Sequence, residues 1–444
     1  MEQVSTSKQK RKIKGKVAIG QSESVSGDRA RLLRGPLAEF LKALRPPERL
    51  TVSEWADRYR ILTSETSAEA GPWSTDRVPY MREPMNCISD PGVESIIGVF
   101  PSQTSKTDSL ILNAIGYFMD RAPASMLWVV PSVQIAQDFS KERLSVMLEA
   151  CPVLRGKVAE AKSRDSQNTI LRKRFSGGFL SLAGANSPGG LSFRPVPILF
   201  FDEVDRFAPS AGTEGDPIRL AFARTSTFPN RKKIEVSSPS IKGKSRVEKS
   251  YETSSQAEYY VPCPVCGKAQ VLRFRQLDFQ SGKCRCVECS ELFAKHQWLD
   301  RWDERGAWVH KLPDRSTRGF WLSGMYNPWI SWETLVIEFK EANRLAKAGD
   351  QEQLKVFLNT RLAELWEMRG ESLDEDLFRT RREVYPARLP DGVKVLTAAA
   401  DIQDDRICYE IVAGELAGSV GPLSTEHSGV IRSVTIFGTG SMKS

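Results

Sequence analysis

Phe100-Pro101-Ser102-Gln103-Thr104-Ser105-Lys106-Thr107 continues an apolar run that begins at Ile96 and sets a Lys-Thr pair at the mouth of an amphipathic segment. A second apolar run, Pro197-Ile198-Leu199-Phe200-Phe201-Asp202-Glu203, ends in two adjacent carboxylates. A nucleoside triphosphatase of the P-loop kind requires such a pair of elements. Its strand-to-helix turn offers backbone N–H groups and a lysine to the phosphates, and a hydroxyl reaches Mg²⁺. A second strand brings one carboxylate to the metal shell and another to the attacking water. In this assignment Gln103, Thr104, Ser105, Lys106 and Thr107 surround ATP, Asp202 holds the Mg²⁺ shell and Glu203 polarises the water. Aligning Lys106 with the lysine of G-x-x-x-x-G-K-[ST] puts Phe100 and Ser105 where glycines stand. Glycine takes positive φ without cost, and serine resists it. The plain alternative is a helix start and a strand end that share no ligand.

Further along, Ala223-Arg224-Thr225 offers an arginine that can stabilise transition-state charge or simply lie on a helix surface. Val236-Ser237-Ser238-Pro239 closes the next apolar run, where small hydroxyls can sense a terminal phosphate. Around these motifs the pattern is α/β. Strands are expected at Ser95–Phe100, Met126–Val130, Phe179–Leu182, Ile198–Phe201 and Lys233–Ser237. Helices fit Leu110, Ile111, Ala114, Ile115, Phe118 and Met119, and the stretch Gln134–Ala150. Apolar strands alternating with helices imply a parallel sheet covered on both faces, with ligand loops at the strands' carboxyl ends. Leu37 to Leu44 reads as a short helix stopped by Pro46-Pro47, while residues 51–93 show no clean period.

The chain has 444 residues, enough for two or three domains, with 40% hydrophobic and 27% charged residues. No run approaches about twenty apolar residues and no apolar leader opens the chain, so no membrane partner is expected, and a cytoplasmic location is. A net charge of +8 permits a polyanionic partner without requiring one. Lys8, Lys10, Arg11, Lys12, Lys14 and Lys16 lie among Ser, Gln and Gly, consistent with a solvated tail or a nucleic-acid-binding arm.

Five of the eight cysteines fall between 263 and 289. Cys263-Pro264-Val265-Cys266 and Cys286-Val287-Glu288-Cys289 form two C-x₂-C pairs separated by 19 residues, the spacing of a structural zinc site. Cys284 is an alternative to Cys286, which the spacing favours; a redox dithiol is the competing chemistry. Arg273, Arg275, Lys283 and Arg285 are candidate DNA contacts beside it. Tryptophans at 298, 302, 308, 321, 329, 332 and 366 follow, with a helical pattern over Trp332–Ala348. After Pro386 to Pro390, a linker, Val393–Asp401 begins a strand. Asp401, at a strand end before the alternating Ile407, Tyr409 and Ile411, suits a two-metal phosphodiester site or a plain turn.

As an ordered set these motifs resemble the GpA-like branch of the tailed-phage terminase large subunit. The resemblance runs from about Leu50 to Gly414. It includes Gly71-Pro72-Trp73, the loop 100–107, Gly184-Ala185-Asn186-Ser187-Pro188-Gly189-Gly190-Leu191, Asp202-Glu203-Val204-Asp205-Arg206, Ala223-Arg224-Thr225, Ser237-Ser238-Pro239, the cysteine pairs and Ala399-Ala400-Asp401. It implies a RecA-like (ASCE) P-loop ATPase that translocates double-stranded DNA into a procapsid, fused to a ribonuclease-H-like endonuclease. By resemblance Ser237, Ser238 and Pro239 couple hydrolysis to motion, and Asp401 is the first nuclease metal ligand. The same resemblance implies a terminase small subunit and the portal as partners, a homo-oligomer, a phage or prophage origin and action in the host cytoplasm.

The division expected from these readings is a basic tail (1–35), an N-terminal region (36–93), an ATPase core (94–260), a zinc-ribbon-like element (261–294), a helical tryptophan-rich region (295–390) and an incomplete nuclease domain (391–444). Only 43 residues follow Asp401, and after Gly414 they turn Gly/Ser/Thr-rich. A truncated or frameshifted copy with an inactive nuclease, lacking the usual portal-docking end, is therefore expected. Two other functions share parts of the pattern: an ATP-dependent helicase or other translocase, and a zinc-stabilised DNA-binding protein with a defunct ATP site.

Overall fold

Five-residue apolar runs with every side chain buried form the middle of one large sheet. A computed structural model describes residues 48–158, 168–192, 194–367, 394–402, 406–414 and 438–441. The basic tail, the helix expected at 37–44, the linker at 386–390 and the stretch 415–437 lie outside the described residues. The chain divides into a unit ending at residue 368 and a second beginning at 369.

The first unit is built on a ten-stranded sheet. Its strands are β1 (Ser95–Val99), β2 (Met126–Val130), β3 (Arg172–Phe175), β4 (Gly178–Gly184), β5 (Ile198–Asp202), β6 (Lys232–Ser237), β7 (Ala257–Pro262), β8 (Ala269–Gln270), β9 (Ala307–His310) and β10 (Thr317–Trp321). Their order is β8-β7-β10-β1-β6-β5-β2-β4-β3, with β9 also paired to β7. From β7 to β4 all pairings are parallel; β3, β8 and β9 add antiparallel edges. Alternation along each strand divides the core. Ile96, Trp128, Phe200 and Ile234 join the cluster on one face, and Ile97, Leu127, Leu199 and Phe201 the other.

Helices cover both faces. The run after β1 spans 106–120 and comprises a π-helical stretch, Asp108–Leu112, then α3 (Asn113–Asp120). The run expected at 134–150 is likewise helical, with a π-helical middle at Phe139–Leu144. Residues 51–93 contain α1 (Val52–Tyr59) and α2 (Arg82–Ser89), which an uneven hydrophobic period had hidden. The missed signal was Thr51-Val52-Ser53-Glu54, whose Thr and Glu form a reciprocal capping box.

Two expectations need correction. The sheet does not stop at residue 260, because β9 and β10 return from the tryptophan-rich region and β10 lies between β7 and β1. That region is thus not simply helical; after β10 come α4 (Trp332–Lys347) and a further helical run over 352–362. Its indoles tie segments together through backbone carbonyls. Trp298 donates to Cys284, Trp308 to Tyr80, Trp321 to Ala363 and Trp332 to Met325. A buried indole N–H needs such a partner, so each tryptophan contributes both packing and position.

In the second unit β11 (Val395–Ile402) pairs antiparallel with β12 (Arg406–Gly414), which pairs with β13 (Gly438–Ser441). Asp401 stands opposite Cys408, one residue from the end of β11. Among the described residues no helix is long and apolar enough to cross a membrane.

Helix α3 meets α1 through a contact that leaves no room for change. A Cβ at Gly116 would lie 2.1 Å from the ring of Trp55, which is fully buried and held by an indole bond to Asp120 (3.0 Å). Gly116→Ala is expected to destabilise the first unit by about 1–3 kcal/mol, measured as a lower urea midpoint at unchanged slope.

Candidate nucleotide site and cysteine centre

Parallel strands deliver their carboxyl ends to one side of the sheet, and β6 lies between β1 and β5. The loop 100–107 leaves β1, Asp202 closes β5, and Ser237 closes β6. Two backbone bonds fix these ends together: Phe100 N–H donates to Ser237 (3.1 Å) and Glu203 N–H to Val236 (2.8 Å). The expected triphosphate residues therefore converge.

Lys106 is 6% exposed. Its Nζ pairs with Glu203 Oε1 at 2.8 Å and donates to Ser238 Oγ at 2.9 Å. Ser238 Oγ in turn donates to the Phe100 carbonyl (3.0 Å). Thr107 Oγ1 donates to Asp202 Oδ2 (3.0 Å). The other oxygen of Asp202, Oδ1, is buried and meets no hydrogen-bond partner among the described residues. A buried carboxylate with one free oxygen beside a threonine hydroxyl is a fitting donor pair for a magnesium shell. Burial and then the neighbouring Glu203 charge raise the Asp202 pKa to about 7, against Lys106, the Thr107 hydrogen bond and Arg143. Nearby cationic charge favours its ionised form.

Serine at 105 does what the glycine pattern demands. Ser105 takes φ 65° and Gln103 φ 58°, both left-handed, and Glu203 sits at φ 57°. Such backbone costs about 1–2 kcal/mol per non-glycine residue. It persists where the surroundings over-determine it, typically at functional sites.

Beyond β6, Ser237 Oγ donates to the Ser238 carbonyl (2.8 Å) and accepts from Asp205 N–H (3.3 Å). The Asp205 carboxylate accepts from Ser240 Oγ (2.6 Å) and from Val247 N–H (2.9 Å), in the first turn of the helix Arg246–Glu252. Chain geometry thus links Lys106 to that helix through Ser238, Ser237 and Asp205. Pro239 follows Ser238 in the chain.

Arg224 is not brought to this cluster. Its carbonyl accepts from Val196 N–H (3.3 Å), at the amino end of β5. Asp202 lies six residues along an extended chain, about 20 Å away, farther than an arginine side chain reaches. The surroundings contain residues that motif spacing did not reveal. Tyr80 Oη donates to the Thr104 carbonyl (3.4 Å), Asn327 Nδ2 to the Gln103 carbonyl (3.1 Å), and Ser102 N–H to the Thr360 carbonyl (2.8 Å). Asp108, in the π-helical stretch, pairs with Arg60 (3.3 Å) and Arg143 (3.0 Å). None of these stands in a short local pattern; only the folded chain joins them.

The cysteine pairs also converge. Sγ atoms of Cys263, Cys266, Cys286 and Cys289 all lie within 4.8 Å of one another. Cys263 and Cys289 are 3.8 Å apart, Cys266 and Cys286 3.7 Å. Zinc–thiolate bonds of about 2.3 Å in a tetrahedron give edges of about 3.8 Å. Cys284 is outside this group, buried, with its thiol pKa pushed up to about 12 by desolvation. The two turns share one backbone rule. Cys263 N–H donates to Lys268 and Gly267 N–H to Cys263; Cys286 N–H donates to Glu291 and Ser290 N–H to Cys286. Gly267 (φ 71°) and Ser290 (φ 63°) are both left-handed.

Comparison with known proteins bears on most of the chain. A family model described as the phage terminase large subunit gpA, ATPase domain, matches residues 67–308. One described as the terminase large subunit gpA, endonuclease domain, matches residues 317–418. The chain is 28% identical over 406 residues to the terminase large subunit of Enterobacteria phage P21, covering 84% of this chain and 61% of that protein. It is 27% identical over 421 residues to that of Escherichia phage lambda, covering 87% and 64%. It thus spans less than two thirds of the length of these relatives. The ATPase domain of the Thermus phage P74-26 large terminase aligns with a TM-score of 0.34 at 12% identity, over 62% of this chain and 89% of that domain.

Proposed function

Because the chain belongs to the gpA family of phage terminase large subunits, we propose that it is the ATP-hydrolysing motor subunit that drives double-stranded DNA into a procapsid. The observation that carries this is the convergence of Lys106, Glu203, Thr107, Asp202 and Ser238 at the ends of three adjacent parallel strands. The terminase small subunit, the portal and further copies of this chain are the partners we propose with it, in the host cytoplasm.

In this mechanism the γ-phosphate replaces Glu203 as the partner of Lys106. Lys106 swings from the carboxylate to the phosphate and neutralises its charge. Glu203, freed from its ion pair, orients and polarises the attacking water, in a backbone conformation already fixed for that task. Mg²⁺, when bound, would neutralise charge on the phosphate oxygens; Thr107 and Asp202 are the residues that would hold it. Withdrawal of Lys106 changes the donors at Ser238, and Ser237, Asp205 and Val247 carry that change to the helix 246–252. This gives Ser237-Ser238-Pro239 its coupling role. Arg224 is too distant to serve the ATP bound by its own chain.

Zn²⁺ is the metal we assign to Cys263, Cys266, Cys286 and Cys289, as a structural ion that holds the two turns together. For the second unit we propose Asp401 as a metal ligand of the endonuclease, on the strength of the family model that spans it.

Each assignment has its own measurement. DNA-stimulated ATP hydrolysis is expected in the wild-type chain and a drop of about 10²-fold or more in Glu203→Gln; equal turnover in both would remove Glu203 from catalysis. A helicase would separate strands, whereas a packaging motor moves blunt duplex into procapsids without unwinding it. Metal analysis should find about one zinc ion per chain, lost in Cys286→Ser and retained in Cys284→Ser. Against the inactive nuclease expected from sequence, the endonuclease family model predicts Mn²⁺-dependent DNA cleavage by the wild-type chain that vanishes in Asp401→Ala. No cleavage by the wild type would uphold the inactive nuclease, and unchanged cutting in the variant would exclude Asp401 as a ligand.

A further inference from the structure

The loop 100–107 holds two left-handed residues, Gln103 and Ser105, neither of them glycine. Within the loop, Thr104 Oγ1 donates to the Pro101 carbonyl (2.8 Å). That single local bond spans the turn and leaves the Gln103 carbonyl to a partner from outside. The partner is Asn327, which is 2% exposed. Its amide orientation is set by both neighbours. Oδ1 must accept from Trp329 N–H (3.0 Å), which leaves Nδ2 to donate to Gln103.

Asn327 is itself held from several sides. Its N–H donates to the Gly324 carbonyl (3.2 Å), and Lys295 Nζ donates to its carbonyl and to that of Ile330. Desolvation lowers the Lys295 pKa to about 8. Gly324 packs where no side chain fits, since a Cβ there would lie only 1.9 Å from the Arg361 carbonyl oxygen. Arg361 adjoins Thr360, whose carbonyl receives Ser102 N–H. The two outside ties on the loop, at Ser102 and Gln103, thus come from segments pressed against each other.

We propose that Asn327 is a positioning residue for the ATP phosphates: its amide holds the Gln103 carbonyl and so keeps Gln103 to Ser105 in the left-handed turn that aims Lys106 and Thr107. It rests on the reading that this loop binds ATP. The tertiary brace replaces the conformational freedom that glycine gives other phosphate loops. Its signature is therefore dependence on the residue at 105: where serine must be held left-handed the brace matters, and where glycine stands it matters less.

The test is a double-mutant cycle on the full chain, read by mant-ADP binding with Mg²⁺. Asn327→Ala should weaken binding by roughly tenfold. In the Ser105→Gly background the same change should cost about twofold or less. Loss of the Trp329 turn alone would weaken both backgrounds equally, and that result, or no loss in either, overturns the proposal. Asn327→Ser, which still accepts from Trp329 N–H but is too short to reach Gln103, should repeat the pattern if the alanine variant folds poorly. Hydrogen exchange at 102–107 supplies a nucleotide-free measurement. It should quicken in Asn327→Ala and return toward wild type with Ser105→Gly added; unchanged exchange overturns the brace. If the wild-type chain binds no mant-ADP, the ATP reading falls and the exchange pattern alone decides this one.

Discussion

The carboxyl end of β6 holds the site together. It accepts a backbone bond from the strand that enters the phosphate loop and another from the residue after Asp202. Interposing one strand between β1 and β5 sets a separation of about two strand spacings, near 10 Å. Lys106 spans that gap to reach Glu203, and Ser238 at the end of β6 sits under its ammonium. Insert or delete a residue in β6 and the alternation reverses, exchanging core faces and removing the serine. The chemistry of Lys106 and the packing of Ile234 and Val236 are therefore one constraint.

Much of the fold was legible because its strands are buried on both faces. Ser95–Val99, Met126–Val130 and Ile198–Asp202 are short apolar runs whose sequence permits little else, and the observed bounds fall within a residue of those expected. The meeting of Lys106 with Glu203 and of Thr107 with Asp202 was legible for a related reason: these residues stand where such runs end. The cysteine pairs were legible through covalent spacing, and geometry separates Cys286 from Cys284.

What escaped was non-local. Strands Ala307–His310 and Thr317–Trp321 alternate weakly and are claimed by the sheet only after the cysteine element has looped out. Tyr80, Asn327 and Thr360 act through single bonds to carbonyls or from them, and a hydrogen bond to backbone leaves no mark on the partner's identity. Arg224 shows the converse. A motif-like triplet is no guide to reach when the strand between it and the site runs the full depth of the sheet. The side chain of Asp401 lies outside the described residues.

The left-handed serine at 105 has a consequence for how such sites are written in sequence. Glycine spells its backbone conformation locally, in the loop itself. Here residues at 80, 327 and 360, distributed over most of the first unit, hydrogen-bond the backbone of the loop that takes this conformation. Part of what holds loop 100–107 therefore lies outside its own sequence. A glycine-spaced pattern will pass over loops of this kind, while the carboxylate pair two strands away, at the end of β5, still marks this one.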